Sequence, residues 1–186
     1  MLILASGSPR RRELLEQIGA AYEVKVGTYA EDVPENDDPE KFVIRQAAGK
    51  AASVAEKHTG RWVLGADTVV VSDGKILGKP RSDEEAMSML HRLSGKTHAV
   101  YTGIALQKDD SVWTHAEKTL VTFRDLTEDE IEAYVETGEP SDKAGAYGIQ
   151  GRGAILVEKI EGDYTNVVGL PLSALYVLAG IAGMCL

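Results

Sequence analysis

The sequence predicts an α/β fold in which helices flank a mixed, twisted β-sheet. The first part of the chain alternates strand and helix patterns, which favours parallel strands, and the middle part contains two long strand patterns joined by a polar turn, which favours an antiparallel meander. The chain has 186 residues, of which 44% are hydrophobic, so it can bury a substantial core. We therefore expect a single domain over residues 1–186, with up to two lobes around a cleft.

Strands are expected where short apolar runs are bounded by turn residues. These runs lie at residues 2–5, 22–26, 62–71, 75–77, 98–107, 112–123, 154–160 and 164–168. Asp73-Gly74 is typical of a hairpin turn between the third and fourth runs, and a polar tetrapeptide at residues 108–111 joins the fifth and sixth. The order of these runs supports a sheet with both parallel and antiparallel pairs.

Helices are expected where apolar residues recur every three or four positions, or where a capping pattern begins. The predicted helices cover residues 9–18, 41–58, 82–93 and 127–137, and a last one starts at Pro171. Ser8 and Pro9 suit the N-cap and first turn of the first helix, and Ser82 and Thr127 each begin a capping box. An acidic loop at residues 31–40 precedes the second helix.

Composition and charge disfavour several classes of function. The formal net charge of −9 argues against a nucleic-acid-binding surface, because phosphate backbones are held by many Lys and Arg residues. Cys185 is the single cysteine and allows no disulfide within the chain, so we expect a cytoplasmic protein. Residues 167–186 carry no charge, but Pro171 and several glycines interrupt them. We therefore expect a buried helix there and no membrane contact.

The first predicted helix begins with a pattern suited to anions. Residues 6–12 (SGSPRRR) turn from a strand into a helix, whose free N–H groups and positive end favour an anion. The three arginines add donors suited to phosphate, although three adjacent positions cannot all face one site. The alternative is that they project to solvent and pair with Glu13 and Glu16.

A carboxylate lies inside the apolar strand pattern of residues 64–69 (LGADTV). If Asp67 is buried there, it must be paired, protonated or bound to a metal. It could serve as a metal ligand or as a general base for water. The alternative, a hydrogen-bonded structural aspartate at a strand end, stays equally open.

Three further segments offer polar groups to such a site. Lys79 follows the predicted hairpin, where it either leans over a cleft or lies in a surface turn. Lys50 lies among small residues of the second helix and either reaches into a pocket or extends to solvent. In the glycine-rich residues 143–153 (KAGAYGIQGRG), Gln150 has a donor and an acceptor that could bind an imide or amide edge. The alternative for this segment is a tight strand connection.

Other catalytic templates are absent from the sequence. It contains no P-loop, no dinucleotide-binding fingerprint and no nucleophile elbow. Its four histidines fit no metal-ligand spacing, and we expect His91 and His98 at the surface.

Taken in order, these segments resemble the Maf family of nucleotide pyrophosphatases. The similarity extends from residue 2 to about residue 175, and its strongest pieces are ASGSPRR, GADT, KPR, LSGKTH, DKAGAYG and VGLPL. The resemblance implies a fold like that of inosine triphosphate pyrophosphatases, with a long mixed sheet and a deep cleft. It also implies hydrolysis of a nucleoside triphosphate between its α- and β-phosphates, a divalent cation (Mg²⁺, Mn²⁺ or Co²⁺) and a homodimer.

The resemblance further implies roles for individual residues. The aspartate of the GADT segment is the family's proton acceptor, which is Asp67 here. The positions that select the substrate in the family are Arg10, Thr68 and Gln150 here. Those that bind phosphate are Ser8, Arg11, Lys50 and Lys79, and those that bind the metal are Asp67 and Glu31. The chain departs from the family pattern at Gly49, where Glu is usual, and at Ala30-Glu31, where an Asp-Glu pair is usual.

At the substrate-sorting positions the chain is similar to the branch of the family that acts on dTTP and UTP. The branch that acts on 7-methyl-GTP typically carries Trp, Gln and Glu there. The resemblance therefore implies hydrolysis of dTTP or UTP, with modified pyrimidine nucleotides as further substrates. The alternative comes from the family's first association with inhibition of septum formation: a non-catalytic regulator of cell division that acts by binding a partner.

Overall fold

A computed structural model describes residues 1–34 and 38–186 of the chain. In this part, seven strands form a mixed sheet in the order β2-β1-β3-β5-β6-β7, and β4 pairs with β3. The strands are β1 (Leu2–Leu4), β2 (Tyr22–Val24), β3 (Val63–Ser72), β4 (Lys75–Leu77), β5 (Thr97–Lys108), β6 (Ser111–Phe123) and β7 (Val157–Glu161). β1 runs parallel to β2 and β3, and the other pairs are antiparallel. The predicted mixed sheet is confirmed.

The helices are α1 (Pro9–Gln17), α2 (Pro39–Ala55), α3 (Asp83–Leu93), α4 (Glu128–Val135), α5 (Tyr164–Val168) and α6 (Leu172–Ala182). The capping box predicted at Thr127 is formed. At the start of α3, Ser82 accepts from the N–H of Glu85, but the Glu85 carboxylate accepts from the N–H of Arg81, so that box is half formed. α2 starts earlier than predicted, because the Asp38 carboxylate caps its first turn.

Three predictions from the sequence need correction or restriction. Residues 164–168 form α5 and not a strand, because the Asp163 carboxylate accepts from the N–H and hydroxyl of Thr165 and caps a helix there. The strand predicted from residue 154 begins only at Val157, after a 3₁₀ turn at Gly151–Leu156. Of the predicted acidic loop, residues 31–34 are irregular, and residues 35–37 lie outside the described residues.

Alternating residues of the central strands divide the core between two faces. Val63 and Ala105 pack with α2, whereas Leu64 and Leu106 pack with α1 and α6. The second face continues toward the far end of β5, where α3 and α4 pack. Because successive side chains of a strand point to opposite faces, α2 lies on one face of the sheet and these other helices lie on the second.

The backbone of α2 rests directly on the sheet at two glycines. A Cβ atom on Gly65 would lie 2.1 Å from the carbonyl oxygen of Ala47, and one on Gly103 would lie 2.4 Å from that of Val43. Both carbonyls belong to the apolar stripe Val43, Ala47, Ala51 and Val54, whose spacing of four, four and three residues predicts one buried helix face. That face is buried. This close approach brings the next residues of α2 within reach of β3.

The uncharged C-terminal segment forms a short helix. α6 has 11 residues and buries Leu175, Leu178 and Ala179. Within the described ranges, no helix is long and apolar enough to cross a membrane.

Candidate active site

The candidate site lies at a gap in the sheet beside β3. β5 pairs with one edge of β3. On the other edge, β1 pairs only at Val63 and Leu64, and β4 pairs from Val70 onward. Asp67 and Thr68 lie between these pairings. Since adjacent side chains of a strand point to opposite faces, a cavity that opens through the gap can contact both.

A cavity of about 410 Å³ occupies this gap, a size within the range of small-molecule sites. Its lining contains every site residue implied by the sequence: Ser8, Arg10, Arg11, Glu31, Lys50, Asp67, Thr68, Lys79 and Gln150. Arg12 is exposed and does not line this cavity, which agrees with the expectation that the three arginines cannot all face one site.

Two carboxylates share one ammonium group in the cavity. Lys50 Nζ donates to Asp67 Oδ1 at 2.6 Å and lies 2.8 Å from Glu31 Oε1. The side chains of Lys50 and Asp67 are only 16% and 12% exposed, so their attraction is screened less than at the surface. Desolvation acts to raise the pKa of Glu31, but the hydrogen bond and charge of Lys50 outweigh it, and that pKa is lowered. The structural alternative for Lys50, extension to solvent, is therefore not what the geometry shows.

Arg11 connects α1 to both sides of the gap. Its Nε donates to the carbonyl of Gly169 at 2.8 Å, and its two terminal nitrogens donate to Ser6 Oγ at 3.0 Å and Thr68 Oγ1 at 3.2 Å. Desolvation lowers the pKa of the Arg11 guanidinium, and the charge of Asp67 opposes this change. A guanidinium has five N–H donors, so three bonds leave donors that an anion in the cavity can use.

An ion pair crosses the mouth of the cavity. Arg10 on α1 donates to Asp142 Oδ2 at 3.0 Å, and Lys143 Nζ donates to Asp142 Oδ1 at 2.8 Å and to the carbonyl of Glu139 at 2.6 Å. Asp142 ends the 3₁₀ turn at Glu139–Asp142. Two cations that line the cavity are thus held by one exposed carboxylate.

Comparison with known proteins identifies the family. The model of Maf-like proteins matches residues 1–180. The chain belongs to the Maf family. It is 53% identical over 174 residues to the dTTP/UTP pyrophosphatase of Bacillus cereus (strain AH820), covering 94% of this chain and 91% of that protein. It is 54% identical over 173 residues to the dTTP/UTP pyrophosphatase of Bacillus cytotoxicus, covering 93% and 91%.

Among solved structures, the Ham1 protein of Staphylococcus aureus matches with a TM-score of 0.48 and 15% identity, over 84% of this chain and 79% of that one. The structure of a HAM1 protein from Coxiella burnetii matches with a TM-score of 0.45 and 18% identity, over 66% and 72%.

The cavity of this Maf protein contains carboxylates that a divalent cation could use as ligands. Among the described residues, no group of three or more His, Cys, Asp or Glu side chains is arranged to hold a metal. Asp67 and Glu31, however, come from different segments and both contact the Lys50 ammonium, so the two carboxylates lie close enough for one cation to contact both. Mg²⁺ is commonly bound by one or two carboxylates together with phosphate oxygens and water. The residues therefore fit an ion that binds together with a nucleotide.

The segment that carries Gln150 is held by a partly buried hydrogen-bonding centre. The Glu139 carboxylate accepts from the N–H groups of Arg152 and Gly153, each at 3.0 Å, and from the Tyr134 hydroxyl at 2.9 Å. The Tyr134 oxygen accepts from the N–H of Gly148 at 3.1 Å. These contacts hold the chain on both sides of Gln150. The segment is therefore also the tight connection that the sequence left open.

His98 is buried, so the prediction that it lies at the surface is wrong. It is 3% exposed, and its Nε2 lies 2.7 Å from the hydroxyl oxygen of Tyr147, which lines the cavity. Burial lowers the pKa of His98 to about 4, so the ring is neutral near pH 7. The strand alternation of β5, in which His98 shares the inward face with Val100 and Thr102, could have indicated this.

Sequence reasoning missed other residues of the cavity wall. Tyr29, Asp142, Lys143 and Tyr147 all line it. The last three lie in the DKAGAYG segment that carried the family resemblance, which was a usable signal. Tyr29 lies outside every recognised motif, and its position depends on contacts with α2.

Proposed function

We propose that this Maf protein hydrolyses dTTP and UTP, together with modified pyrimidine nucleoside triphosphates, to the monophosphate and pyrophosphate. The observation that carries the proposal is the Lys50 contact with both Asp67 and Glu31 in a cavity that also contains Arg10, Arg11 and Lys79. A carboxylate beside a dense group of cations suits attack by water on an anionic phosphate. The dTTP/UTP pyrophosphatase names of relatives above 50% identity support the same substrates.

The cations bind and orient the triphosphate. Ser8 precedes the first turn of α1, where free N–H groups favour an anion. Arg10 and Arg11 on α1 and Lys79 beyond β4 approach the cavity from two sides. Charge stabilisation of this kind accounts for much of the catalysis in phosphoryl transfer. A divalent cation held by Asp67 and Glu31 would supply further charge neutralisation of the phosphates.

Asp67 accepts a proton from the attacking water. Lys50 holds one oxygen of this carboxylate by a hydrogen bond, which leaves the second oxygen to orient water toward the α-phosphorus. The bond from the α-phosphorus to the bridging oxygen breaks, and pyrophosphate leaves with that oxygen. The side chains of Arg11 and Lys79 remain available to the leaving group.

Substrate choice depends on three further residues of the cavity lining, Gln150, Arg10 and Thr68. The amide of Gln150 can pair with the O4 and N3 edge of uracil or thymine, because it offers both a donor and an acceptor. Arg10 and Thr68 complete the sorting set on α1 and β3. Thr68 is fixed by Arg11 and by the hydroxyl of Thr102, 2.9 Å away, so its orientation is set before substrate arrives.

We further propose one domain over residues 1–186 that acts as a homodimer in the cytoplasm. Support for the dimer comes from the outer face of α6, where Tyr176, Val177 and Ile181 are exposed. Contiguous exposed apolar side chains of this kind are common at protein interfaces. Light scattering after size-exclusion chromatography measures the mass directly, and a mass of one chain would refute the dimer.

The activity is tested by pyrophosphate release over a nucleotide panel, with and without Mg²⁺, Mn²⁺ and Co²⁺. We expect release from dTTP and UTP, with little from purine nucleotides. Asp67→Asn should lose about 10²-fold or more in turnover while retaining its circular dichroism spectrum. The control Asp110→Asn changes an exposed turn residue and should behave as wild type. Absence of release from every nucleotide would refute the enzymatic function and favour a binding role in cell division.

A further inference from the structure

An irregular segment, residues 27–32, lies along one face of α2, and we call it the strap. It contains no helix or strand. It meets α2 through Gly27 against Ser53, Tyr29 against Gly49 and Asp32 against Gln46. The helix positions 46, 49 and 53 are separated by three and four residues, so they form one stripe on the helix surface.

The Tyr29 ring occupies the place where a side chain at position 49 would be. A Cβ atom on Gly49 would lie 2.2 Å from Tyr29 Cε2 and 2.4 Å from Cζ, both far below any allowed contact. Glycine is unfavourable in a helix interior, and Gly49 lies in the middle of α2. Its presence allows an aromatic ring to pack directly on the helix backbone.

The two ends of the strap are held in different ways. At its start, a Cβ atom on Gly27 would lie 2.0 Å from Ser53 Oγ, so the strap backbone itself touches the helix. At its end, the Gln46 amide accepts from the N–H of Asp32 at 3.1 Å and donates to the Asp32 carboxylate at 2.8 Å. Gln46 is 1% exposed, so this pair is an ordered contact.

Glu31 lies between the last two of these contacts. Tyr29 precedes it by two residues and Asp32 follows it directly, and its Oε1 reaches Lys50 Nζ at 2.8 Å. The Glu31 side chain is half exposed, so few contacts of its own hold it. Its position therefore depends on how the strap is held against α2.

We propose that Tyr29, Gly49 and the Asp32–Gln46 pair are positioning residues that place the Glu31 carboxylate beside Asp67 and thereby set the affinity of the cleft for its divalent cation. The inference rests on the proposed function, which makes Glu31 a metal ligand. Partners that orient a ligand commonly change metal affinity by about 10–100-fold when they are removed.

The test is a double-mutant cycle at positions 29 and 49. Binding of Mn²⁺ is measured from the electron paramagnetic resonance signal of free Mn²⁺, in the presence of a UTP analogue with a non-hydrolysable α,β-methylene bridge. We expect Gly49→Ala to weaken Mn²⁺ binding about tenfold or more, because its Cβ displaces the ring and the strap. In a Tyr29→Ala background the same substitution should change the affinity by less than about twofold.

Three controls separate positioning from loss of folding. Ser88→Ala introduces alanine at an exposed position of α3 and should leave Mn²⁺ binding unchanged. Tyr29→Phe keeps the ring but loses the hydroxyl, which hydrogen-bonds with Gln46, and should weaken Mn²⁺ binding less than Tyr29→Ala does. Asp32→Ala, at a more exposed position, provides a variant that is expected to fold. It removes the carboxylate that accepts from both Gln46 and Arg45 and should weaken Mn²⁺ binding several-fold.

The outcomes distinguish this inference from the proposed function. Wild-type affinity in Gly49→Ala and Asp32→Ala, or equal losses from Gly49→Ala with and without Tyr29, would overturn the positioning role. Mn²⁺ binding that does not respond to Glu31→Gln would overturn it as well, even if pyrophosphate release is normal. If the cycle behaves as expected and no nucleotide is hydrolysed, the strap inference holds and the proposed function fails.

Discussion

Lys50 Nζ lies 2.6 Å from Asp67 Oδ1, which places the ammonium of α2 against the carboxylate inside the apolar run of β3. The contact exists because Gly65 and Gly103 let the backbone of α2 approach the sheet. It exists also because the sheet has a gap at this point of β3. A local packing feature therefore produces the charge arrangement on which the proposed chemistry depends.

Removal of the shared cation should disable the site. Lys50→Met leaves Asp67 and Glu31 without their common partner, and we expect kcat/KM to fall about 10²-fold or more. The substitution also removes the hydrogen bond and charge of Lys50, which lower the pKa of Glu31. Glu31 should then become protonated at a higher pH, and the acidic limb of the pH–rate profile should move in the same direction. Lys41→Met, at an exposed position of the same helix, serves as the control. A Lys50→Met variant with most of its activity would contradict the assignment.

The packing of α2 on the sheet should be intolerant of a single methyl group. Gly103→Ala places its Cβ 2.4 Å from backbone atoms of Val43, which cannot move without the helix. We expect the free energy of unfolding to fall by about 2–3 kcal/mol, measured by chemical denaturation. Ser88→Ala, at an exposed position of α3, should instead stabilise the protein by up to about 0.5 kcal/mol, because alanine has the higher helix propensity. Equal effects of the two substitutions would show that α2 does not rest on Gly103.

Buried His98 should make stability depend on pH in the acidic range. Burial lowers its pKa from 6.5 to about 4, so below pH 6.5 the unfolded chain binds a proton that the folded protein does not. This contribution to the free energy of unfolding therefore falls as pH decreases, by up to about 1.4 kcal/mol per pH unit, and levels off below the folded-state pKa.

The comparison that isolates this effect is with His98→Leu, measured by denaturation between pH 7.5 and 4.5. The variant is expected to be less stable at neutral pH, because the Tyr147 hydroxyl loses its partner. The wild type should lose on the order of 2 kcal/mol more than the variant on acidification. Parallel stability curves over this range would mean that His98 is not the buried neutral group described.

The hydroxyl of Tyr134 should matter for nucleotide discrimination. Tyr134→Phe removes the acceptor of the Gly148 N–H and a donor to Glu139, which loosens the segment that carries Gln150. If the Gln150 amide then loses its hydrogen bond to the base, we expect KM for UTP to rise about fivefold. We expect a smaller change in kcat and a reduced preference for UTP over CTP. Tyr164→Phe, on an exposed tyrosine outside the cavity, is the matched control. An unchanged preference in Tyr134→Phe would show that the contacts of Tyr134 with Gly148 and Glu139 do not affect base recognition.

Local rules in the sequence predicted much of the fold. The Asp73-Gly74 hairpin, the Thr127 capping box and the buried face of α2 follow from turn chemistry, capping and helical periodicity, and all three are present. Strand propensity gave a wrong prediction at residues 164–168, where β-branched residues suggested a strand. The Asp163 carboxylate caps a helix there. Asn166 of that helix is buried, and its amide donates hydrogen bonds to the carbonyl of Val100 and the hydroxyl of Thr119.

The site was predictable as a set of residues but not as a geometry. The motifs and their order in the chain indicated nine site residues, and all nine line the cavity. The gap beside β3 depends on where β1 and β4 stop pairing, which no local pattern encodes. The Tyr29 contact with Gly49 joins segments 20 residues apart, and glycine at that position carries no sign of the ring that covers it.

The measurement that tests the central claim most directly is hydrolysis of UTP in oxygen-18 water, with mass spectrometry of the products. Attack by Asp67-oriented water on the α-phosphorus predicts one heavy oxygen in UMP and none in pyrophosphate, and no product above background from Asp67→Asn. Label in pyrophosphate, release of inorganic phosphate in its place, or a fully active Asp67→Asn variant would contradict the account.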